Sequence, residues 1–225
     1  EAGAVIDARG MVVTPGFIDV HNHSDGWQLK EPNFQSKTLQ GFSSEVLMAD
    51  GISYAPVDRH NWRDWIHYLR ALNGLVQSDY DGWESISDYM QLLDRRTSQN
   101  VIAHIPYANI RALVNGFGVR PIDDSQIVRM RNLIEEEMEA GAVGLSTGLD
   151  YICQCFSDTD ELVQACEPVA KAGGIYVTHV RYKKTLLPAL EEAFEIGKRA
   201  GLPVHISHLK IHDPPSHEEV FELID

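Results

Sequence analysis

The 225-residue sequence predicts an α/β fold, a TIM-like (β/α)8 barrel that is incomplete, with about six strand–helix units. Three stretches share one pattern, a helical segment ending in Ala-Gly and then a short apolar run that closes in Ser, Thr or His: EMEAGAVGLSTG, VAKAGGIYVTHV and GKRAGLPVHISHL. Alternating strands and helices imply a parallel sheet, either doubly wound or closed into a barrel. Polar side chains recur at the ends of non-adjacent strands, where barrel enzymes build their sites, and this favours the barrel.

The strands and helices follow in chain order. Predicted strands lie in PGFIDVHNHSD, SSEVLMAD and NVIAHIPY, and the repeats supply the others. Helical spacing marks NWRDWIHYLRAL, WESISDYMQLLDRR, DDSQIVRMRNLIEEEMEA, DTDELVQACEPVAKA and LLPALEEAFEIGKRA. Asp158 and Glu161 form a capping-box pattern, and Pro168 counts against a continuous helix in the same segment. Each repeat places a glycine where a helix C-terminus favours a left-handed residue: Gly141, Gly173 and Gly201.

The two ends of the sequence are abrupt. We expect residues 1–14 to form the edge of a small β domain and residues 15–225 to form the incomplete barrel. Ser216 and Glu219 make a capping box for a helix that has barely begun when the sequence stops. We therefore expect an internal piece of a longer enzyme chain, or a barrel that a second chain completes.

Charge and composition argue against several classes of protein. The 19 Lys and Arg against 33 Asp and Glu give a formal charge of -14, which argues against nucleic-acid binding. The sequence has no apolar run of about 18 residues and no signal-peptide pattern, so we expect no membrane partner and a cytoplasmic location. We interpret the C-x-C pair, Cys153 and Cys155, as loop thiols, because Cys166 alone completes no metal or disulfide framework. The oligomeric state stays open.

Two histidines close the first predicted strand. Successive side chains of a strand point to opposite faces, so His21 and His23 share one face with Asp19. Two imidazoles on one face can hold a metal ion. A strand that ends in a polar loop explains the same spacing equally well, so the later strands must decide.

Histidines also close the last two predicted strands. His179 ends GIYVTHVR, and in PVHISHLK the alternation puts His208 and Lys210 on the face of Val204 and Ile206. Because parallel strands of a barrel end at the same rim, His179 and His208 should lie side by side there. A lone histidine at such a place is usually structural, but two in register beside the first pair favour a metal site.

Asp50 ends SSEVLMAD at the corresponding rim, where its carboxylate can bridge two metal ions; a turn cap before Gly51 is the alternative. Imidazoles and a carboxylate from separate strands suit Zn²⁺, as one or two ions. Such a site serves the two needs of amide hydrolysis, an activated water and a polarised carbonyl. The candidate metal ligands are His21, His23, Asp50, His179 and His208.

Five motifs, in this order, resemble the N-acyl-D-amino-acid deacylases (D-aminoacylases) of the amidohydrolase superfamily: PGFIDVHNHSD, GISYAP, GLSTGLDY, THVR and ISHLK. The resemblance covers essentially the whole chain and implies a metal-dependent hydrolase barrel whose ligands match the five candidates. It implies zinc-dependent hydrolysis of N-acyl-D-amino acids to a carboxylate and a free D-amino acid. It also implies that Lys210 and Tyr151 hold the substrate's carboxylate. Arg181 either assists substrate binding at the rim or caps a strand.

The sequence departs from the family's pattern in four places. Asp50 stands where the family often has cysteine, and Lys183 stands where a glutamate is common. Cys153 and Gln154 replace a Pro-Gly pair. The family's catalytic aspartate ends strand eight, and no residue of this chain matches it. We therefore expect this stretch alone to bind metal better than it turns over substrate.

Other functions stay open. Cyclic-amide hydrolases of the dihydropyrimidinase type usually carry a bridging lysine at the end of strand four. This chain has VGLSTG there, and the absence of lysine disfavours that class. A non-catalytic metal-binding fragment is the alternative from another class, and an α/β protein with purely structural histidines is a third. The other histidines lack a repeated placement on one face and are expected to be solvated or locally hydrogen-bonded: His60, His67, His104, His205, His212 and His217.

Overall fold

The computed structural model describes residues 3–183, 185–210 and 216–224. Its strands are β1 (Phe17–Asp19), β2 (Phe42–Leu47), β3 (Asn100–Ala103), β4 (Ile105–Pro106), β5 (Gly144–Gly148), β6 (Ile175–His179) and β7 (Val204–Ile206). Its α-helices are α1 (Asp25–Lys30), α2 (Gln35–Thr38), α3 (Trp62–Leu69), α4 (Ile86–Leu93), α5 (Tyr107–Asn115), α6 (Asp124–Glu139), α7 (Thr159–Lys171), α8 (Leu186–Ala200) and α9 (Ser216–Ile224).

All strand pairs are parallel and follow chain order, β1-β2-β3 in one ladder and β4-β5-β6-β7 in the other. β3 and β4 are one predicted strand, interrupted only at His104. The N–H of His104 donates to the carbonyl of Leu47, and that of Val143 donates to Ala103, so hydrogen bonds continue past the interruption. The six predicted strand positions therefore occur in the predicted parallel order.

Five helices match the five predicted segments, because each buries an apolar stripe: α3, α4, α6, α7 and α8. In α7, Asp158 accepts the N–H of Glu161 as predicted. The Glu161 carboxylate, however, accepts from Arg111 of α5 instead of the helix N-terminus, so only half of the capping box forms. Pro168 lies inside α7 without ending it.

The sequence patterns did not predict three of the helices: α1, α2 and α5. The α5 helix is buried around most of its surface, including Asn109 and Arg111, so it shows no polar stripe. Its polar groups are satisfied internally: Asn109 donates to the carbonyls of Ser53 and Pro56, and Arg111 pairs with Glu161 at 2.8 Å. A buried polar helix of this kind is invisible to a periodicity search.

The glycine prediction is confirmed. Gly141, Gly173 and Gly201 have φ values of 109°, 75° and 78°, in the left-handed range that lets a helix end and a strand begin at once. Because each helix ends at its glycine, the connection from the helix to the next strand is short. Short connections place the C-terminal ends of β5, β6 and β7 at one rim.

One strand-face prediction is wrong. β7 ends at Ile206, and both Val204 and Ile206 pack against the apolar cluster beneath α8 and α9. His205 lies on the opposite face, within electrostatic range of His21 and His104. Alternation stops where the strand stops, so His208 does not share a strand face with Val204 as predicted.

Residues 3–16 form neither helix nor strand, and their apolar side chains, such as those of Val5 and Val12, are exposed. The division at residue 14 stays a prediction. Within the described residues, no helix combines the length and hydropathy needed to cross a membrane. The predicted capping box depends on the side chain of Ser216, which lies outside the described part of the structure, and so does His212.

Candidate metal centre

The end of β1 directs two imidazoles toward one carboxylate. The Nε2 atom of His21 lies 3.7 Å from Oδ1 of Asp50, and Nε2 of His23 lies 3.4 Å from Oδ2. The two rings stand edge to face, with centroids 5.7 Å apart. The first histidine pair and the end of β2 therefore meet, as the sequence predicts.

Asp50 occupies a strained turn after β2. Its φ is 56°, and that of Met48 is 65°, both in the left-handed region that non-glycine residues seldom adopt. Only 2% of Asp50 is exposed. Backbone strain of this kind persists where surrounding contacts fix it, and it is common at functional sites.

Three side chains from distant segments hold this turn. Asp25, fully buried in α1, accepts the N–H of Met48 at 2.8 Å. Ser146 of β5 accepts the N–H of Gly51 at 3.1 Å. Gln154 donates to the carbonyl of Asp50 at 3.0 Å and accepts the N–H of Gly148 at 2.8 Å. The position of the Asp50 carboxylate is therefore fixed by hydrogen bonds across the sheet.

His179 and His208 approach Asp50 from the other side. Nδ1 of His179 lies 3.9 Å from Oδ2 of Asp50 and 2.5 Å from Nε2 of His208. Two imidazole nitrogens this close need a proton or a cation between their lone pairs. The ring of His208 also stands 5.0 Å from that of His21, which closes the circle of candidate ligands.

The donor set fits a zinc ion. Ligand atoms bonded at about 2.0 Å to a tetrahedral ion lie about 3.3 Å from one another. Two groups of donors, each within 4.8 Å, share Asp50: one with His21 and His23, the other with His179 and His208. Oδ1 of Asp50 is buried and has no hydrogen-bond partner among the described residues. An uncompensated carboxylate oxygen facing neutral nitrogens is a strong place for a cation.

The site favours the neutral form of three of its four imidazoles and the ionised form of its carboxylate. Burial lowers the pKa of His21, His179 and His208, that of His208 to about 4. At His23 burial acts in the same direction, but the hydrogen bond to Asp50 and the charges of Asp25 and Asp50 outweigh it and raise the pKa. Burial favours the neutral form of Asp50, yet His23 and the neighbouring imidazoles hold its pKa below the usual value. Metal ligands need this protonation pattern.

The residues expected to bind a substrate carboxylate lie at the same rim. The hydroxyl of Tyr151 is 3.3 Å from Nδ1 of His179, and burial raises the pKa of this phenol to about 12, so it stays a hydrogen-bond donor. Lys210 is exposed, and its Nζ lies 5.6 Å from the ring centroid of Tyr182. That ring in turn stacks on His208.

Arg181 turns away from the rim. Its Nε donates to Glu192 of α8 at 2.8 Å, and its other nitrogens donate to the carbonyls of Leu149, Cys155 and Ser157. The side chain is buried, and the donors are engaged by the protein itself. Of the two roles that the sequence leaves open for Arg181, the geometry supports the structural one.

The other candidate residues have plainer surroundings. His60, His67 and His217 are exposed. His104 departs from expectation, because it is 5% exposed and its Nδ1 has no partner within the described residues; burial lowers its pKa to about 4. The three cysteines are free thiols, and burial raises the pKa of Cys153 to about 12.

Sequence reasoning missed four side chains that shape the site: Asp25, Gln154 in its bridging role, Asp150 and Tyr182. Asp25 follows His23 by two residues, and this spacing was the available signal. Asp150 lies 3.4 Å from Nε2 of His179. These roles depend on contacts between distant segments, which spacing along the chain does not reveal.

Known proteins are similar to this chain in sequence. D-aminoacylase of Alcaligenes xylosoxydans xylosoxydans is 35% identical over 213 residues, 94% of this chain and 43% of that protein. N-acyl-D-aspartate deacylase of the same organism is 34% identical over 224 residues, 98% of this chain and 44% of that protein. The chain thus spans less than half the length of these curated relatives.

Solved structures agree with the sequence relatives. A crystal structure of D-aminoacylase has a TM-score of 0.78 at 30% identity and covers 93% of this chain and 44% of that chain. N-acyl-D-glutamate deacylase from Bordetella bronchiseptica, solved with zinc and a phosphonate inhibitor, has a TM-score of 0.81 at 25% identity with the same coverage. The predicted incomplete barrel and the predicted resemblance are confirmed. The amidohydrolase family matches residues 4–222, and the chain belongs to this family.

Proposed function

We propose that this chain supplies the metal centre of a zinc-dependent hydrolase that cleaves the amide bond of N-acyl-D-amino acids. The products are a carboxylate and a free D-amino acid. The observation that carries the proposal is the meeting of four imidazoles around the buried Asp50 carboxylate. Its relatives, by name, deacylate N-acyl-D-amino acids, and this supports the substrate class.

The residues that would hold Zn²⁺ are His21, His23, Asp50, His179 and His208, as one ion or as two that share Asp50. A bound Zn²⁺ supplies Lewis acidity, which activates a water molecule and polarises the scissile carbonyl. The nitrogen and oxygen donors match the preferences of zinc. Asp50 stands where the family often has cysteine, and its harder oxygen donor should shift the metal preference of the site.

Substrate binding would use the charge at the rim. Lys210 supplies the positive charge and Tyr151 a hydroxyl donor for the substrate's α-carboxylate. The overall charge of -14 makes such a local cation valuable, because the rest of the surface repels an anionic substrate. Arg181, which is engaged elsewhere, stays outside the proposed binding set.

The proposal is tested on the full-length protein with paired N-acetyl-D- and N-acetyl-L-amino acids. We expect hydrolysis of the D substrates, its loss after zinc removal by a chelator and its return with added Zn²⁺. The His208→Ala variant should lose activity while its melting temperature is retained. The exposed His60, replaced by alanine, is the matched control and should leave activity unchanged.

Three outcomes would contradict the proposal: no hydrolysis of either series, equal hydrolysis before and after zinc removal, or full activity of His208→Ala. Zinc binding without hydrolysis would support the non-catalytic metal-binding alternative. Faster hydrolysis of cyclic amides than of N-acyl-D-amino acids would support a dihydropyrimidinase-type enzyme.

A further inference from the structure

The two ring nitrogens of His179 face different partners. Nδ1 faces the candidate metal centre, 2.5 Å from Nε2 of His208 and 3.9 Å from Oδ2 of Asp50. Nε2 faces the opposite way, toward Oδ2 of Asp150 at 3.4 Å. The imidazole therefore lies between two carboxylates, one shared with the other candidate ligands and one that is not.

Asp150 is itself anchored beside the strand that carries His179. One residue earlier, the N–H of Leu149 donates to the carbonyl of His179 at 2.9 Å and extends the pairing of β5 with β6 beyond the strands. The Asp150 carboxylate accepts the N–H of Lys183 at 3.2 Å, and Nζ of Lys183 donates to the Asp150 carbonyl at 3.1 Å. The side chain of Asp150 is only 10% exposed. These contacts aim its carboxylate at the outer nitrogen of His179.

We propose that Asp150 is a positioning residue that keeps the proton of His179 on Nε2 and so presents Nδ1 to the metal. A neutral imidazole has one donor and one acceptor nitrogen, and an ionised carboxylate accepts only. The Nε2–H tautomer is thus the one that satisfies Asp150. A carboxylate behind a ligating histidine also raises the basicity of the nitrogen that faces the metal.

The inference rests on the proposed function, since it assumes that His179 binds a metal. It assigns Asp150 no contact with substrate. A shift of Asp150 by a few tenths of an ångström brings the 3.4 Å separation to ordinary hydrogen-bond length. Tyr151 cannot replace it, because its hydroxyl approaches Nδ1 and not Nε2.

The first test is the zinc affinity of the full-length protein, measured by competition with a chromophoric chelator for wild type, Asp150→Ala and Asp150→Asn. We expect Asp150→Ala to weaken zinc binding about 10- to 100-fold, the usual effect of removing such a partner. Asp150→Asn should weaken it less, because its amide oxygen still accepts from Nε2–H. Asp81→Asn, an exposed carboxylate far from the rim, is the control and should bind zinc like wild type.

The second test reads the tautomer directly in wild type, so this reading does not depend on the folding of the Asp150 variants. In the zinc-loaded protein with ¹⁵N-labelled histidine, the His179 signal, identified by its loss in His179→Gln, should show a protonated Nε2 and a metal-bound Nδ1. Its Nε2 proton should exchange faster with solvent in Asp150→Ala. A purely structural Asp150 would leave this exchange rate unchanged.

The outcomes separate the two proposals. If wild type binds no zinc, the proposed function and this inference both fail. If wild type binds zinc but Asp150→Ala binds it within twofold of wild type, or if His179 is protonated on Nδ1, only the role of Asp150 is overturned.

Discussion

The turn that presents Asp50 and the segment that presents His208 lie at the same rim but are held very differently. The Asp50 turn is buried; it donates backbone hydrogen bonds to Asp25 and Ser146 and accepts one from Gln154. Of the described residues directly after β7, 207–210, only Ser207 makes a backbone–backbone hydrogen bond, from its N–H to the carbonyl of Thr178, and Leu209 is exposed. His208 is positioned mainly by the rings of His179 and Tyr182.

This difference teaches how the donor set is preorganised. One carboxylate is fixed by polar contacts before any ligand arrives, and the imidazole opposite it can adjust by ring packing. Changes at the Asp50 turn, the rigid side of the site, should therefore alter folding stability as well as zinc binding. Changes at the segment after β7, the open side, should alter ligand binding alone.

The largest effect is expected from Asp25→Ala, which breaks the rigid side. The change leaves the Met48 N–H, the Ser53 hydroxyl and the Asn73 amide without their buried acceptor. At about 1 kcal/mol or more for each of the three buried donors, we expect a loss of at least about 3 kcal/mol in the free energy of unfolding, measured by urea denaturation. Asp7→Ala, an exposed control, should cause no measurable change. A loss as small as the control's would mean that Asp25 does not hold the turn.

Asp50→Asn separates charge from backbone geometry. Asparagine tolerates the left-handed φ of 56°, so the fold should persist. Loss of the charge shared by both donor groups should weaken zinc binding by more than about 100-fold, or about 2.7 kcal/mol. Zinc titration followed by calorimetry checks this. Unchanged affinity would remove Asp50 from the proposed ligand set.

Gly148→Ala pushes directly on the Asp50 turn. A Cβ at residue 148 would lie 2.5 Å from the carbonyl oxygen of Asp50 and 2.3 Å from the Tyr151 ring. We expect a loss of about 1–3 kcal/mol in stability, together with weaker zinc binding. Gly118→Ala is the matched control, because its nearest neighbour would be 3.9 Å away. Equal stability of the two variants would show that the turn yields easily.

The smallest effect is expected on the open side, from Lys210→Ala. Stability and zinc content should stay at wild-type values, because the lysine is exposed and outside the donor set. The KM for an N-acetyl-D-amino acid should rise about tenfold, the value of one charge-assisted contact. Steady-state kinetics on the full-length protein measure it, and an unchanged KM would contradict the substrate role of Lys210.

Local sequence rules predicted much of the framework. The Ala-Gly helix ends and the apolar runs after them mark β5, β6 and β7, because a left-handed glycine and a β-rich run have short-range causes. The rule that parallel strands of a barrel end at the same rim also predicted that the five candidate ligands lie together. The prediction that His208 shares a strand face with Val204 is wrong, because β7 ends at Ile206, before the alternation reaches His208.

The missed features have long-range causes. α5 lacks a polar stripe because Arg111 and Asn109 find partners inside the protein. Asp25 acts on Met48, 23 residues away, and Asp150 acts on His179, 29 residues away. The spacing of residues along the chain does not predict such contacts, because the two partners become neighbours only in the folded protein.

The interruption at His104 divides the barrel wall along a seam. His21, His23 and Asp50 belong to the ladder on one side of it, and His179 and His208 belong to the ladder on the other. The distance between these two sets of side chains is therefore governed by hydrogen bonds between the ladders: Ser146 accepts the N–H of Gly51, and Gln154 donates to the carbonyl of Asp50. A ligand that binds both sets of side chains should draw the two ladders together. Ligand binding should therefore reduce the mobility of the strands as well as that of the site.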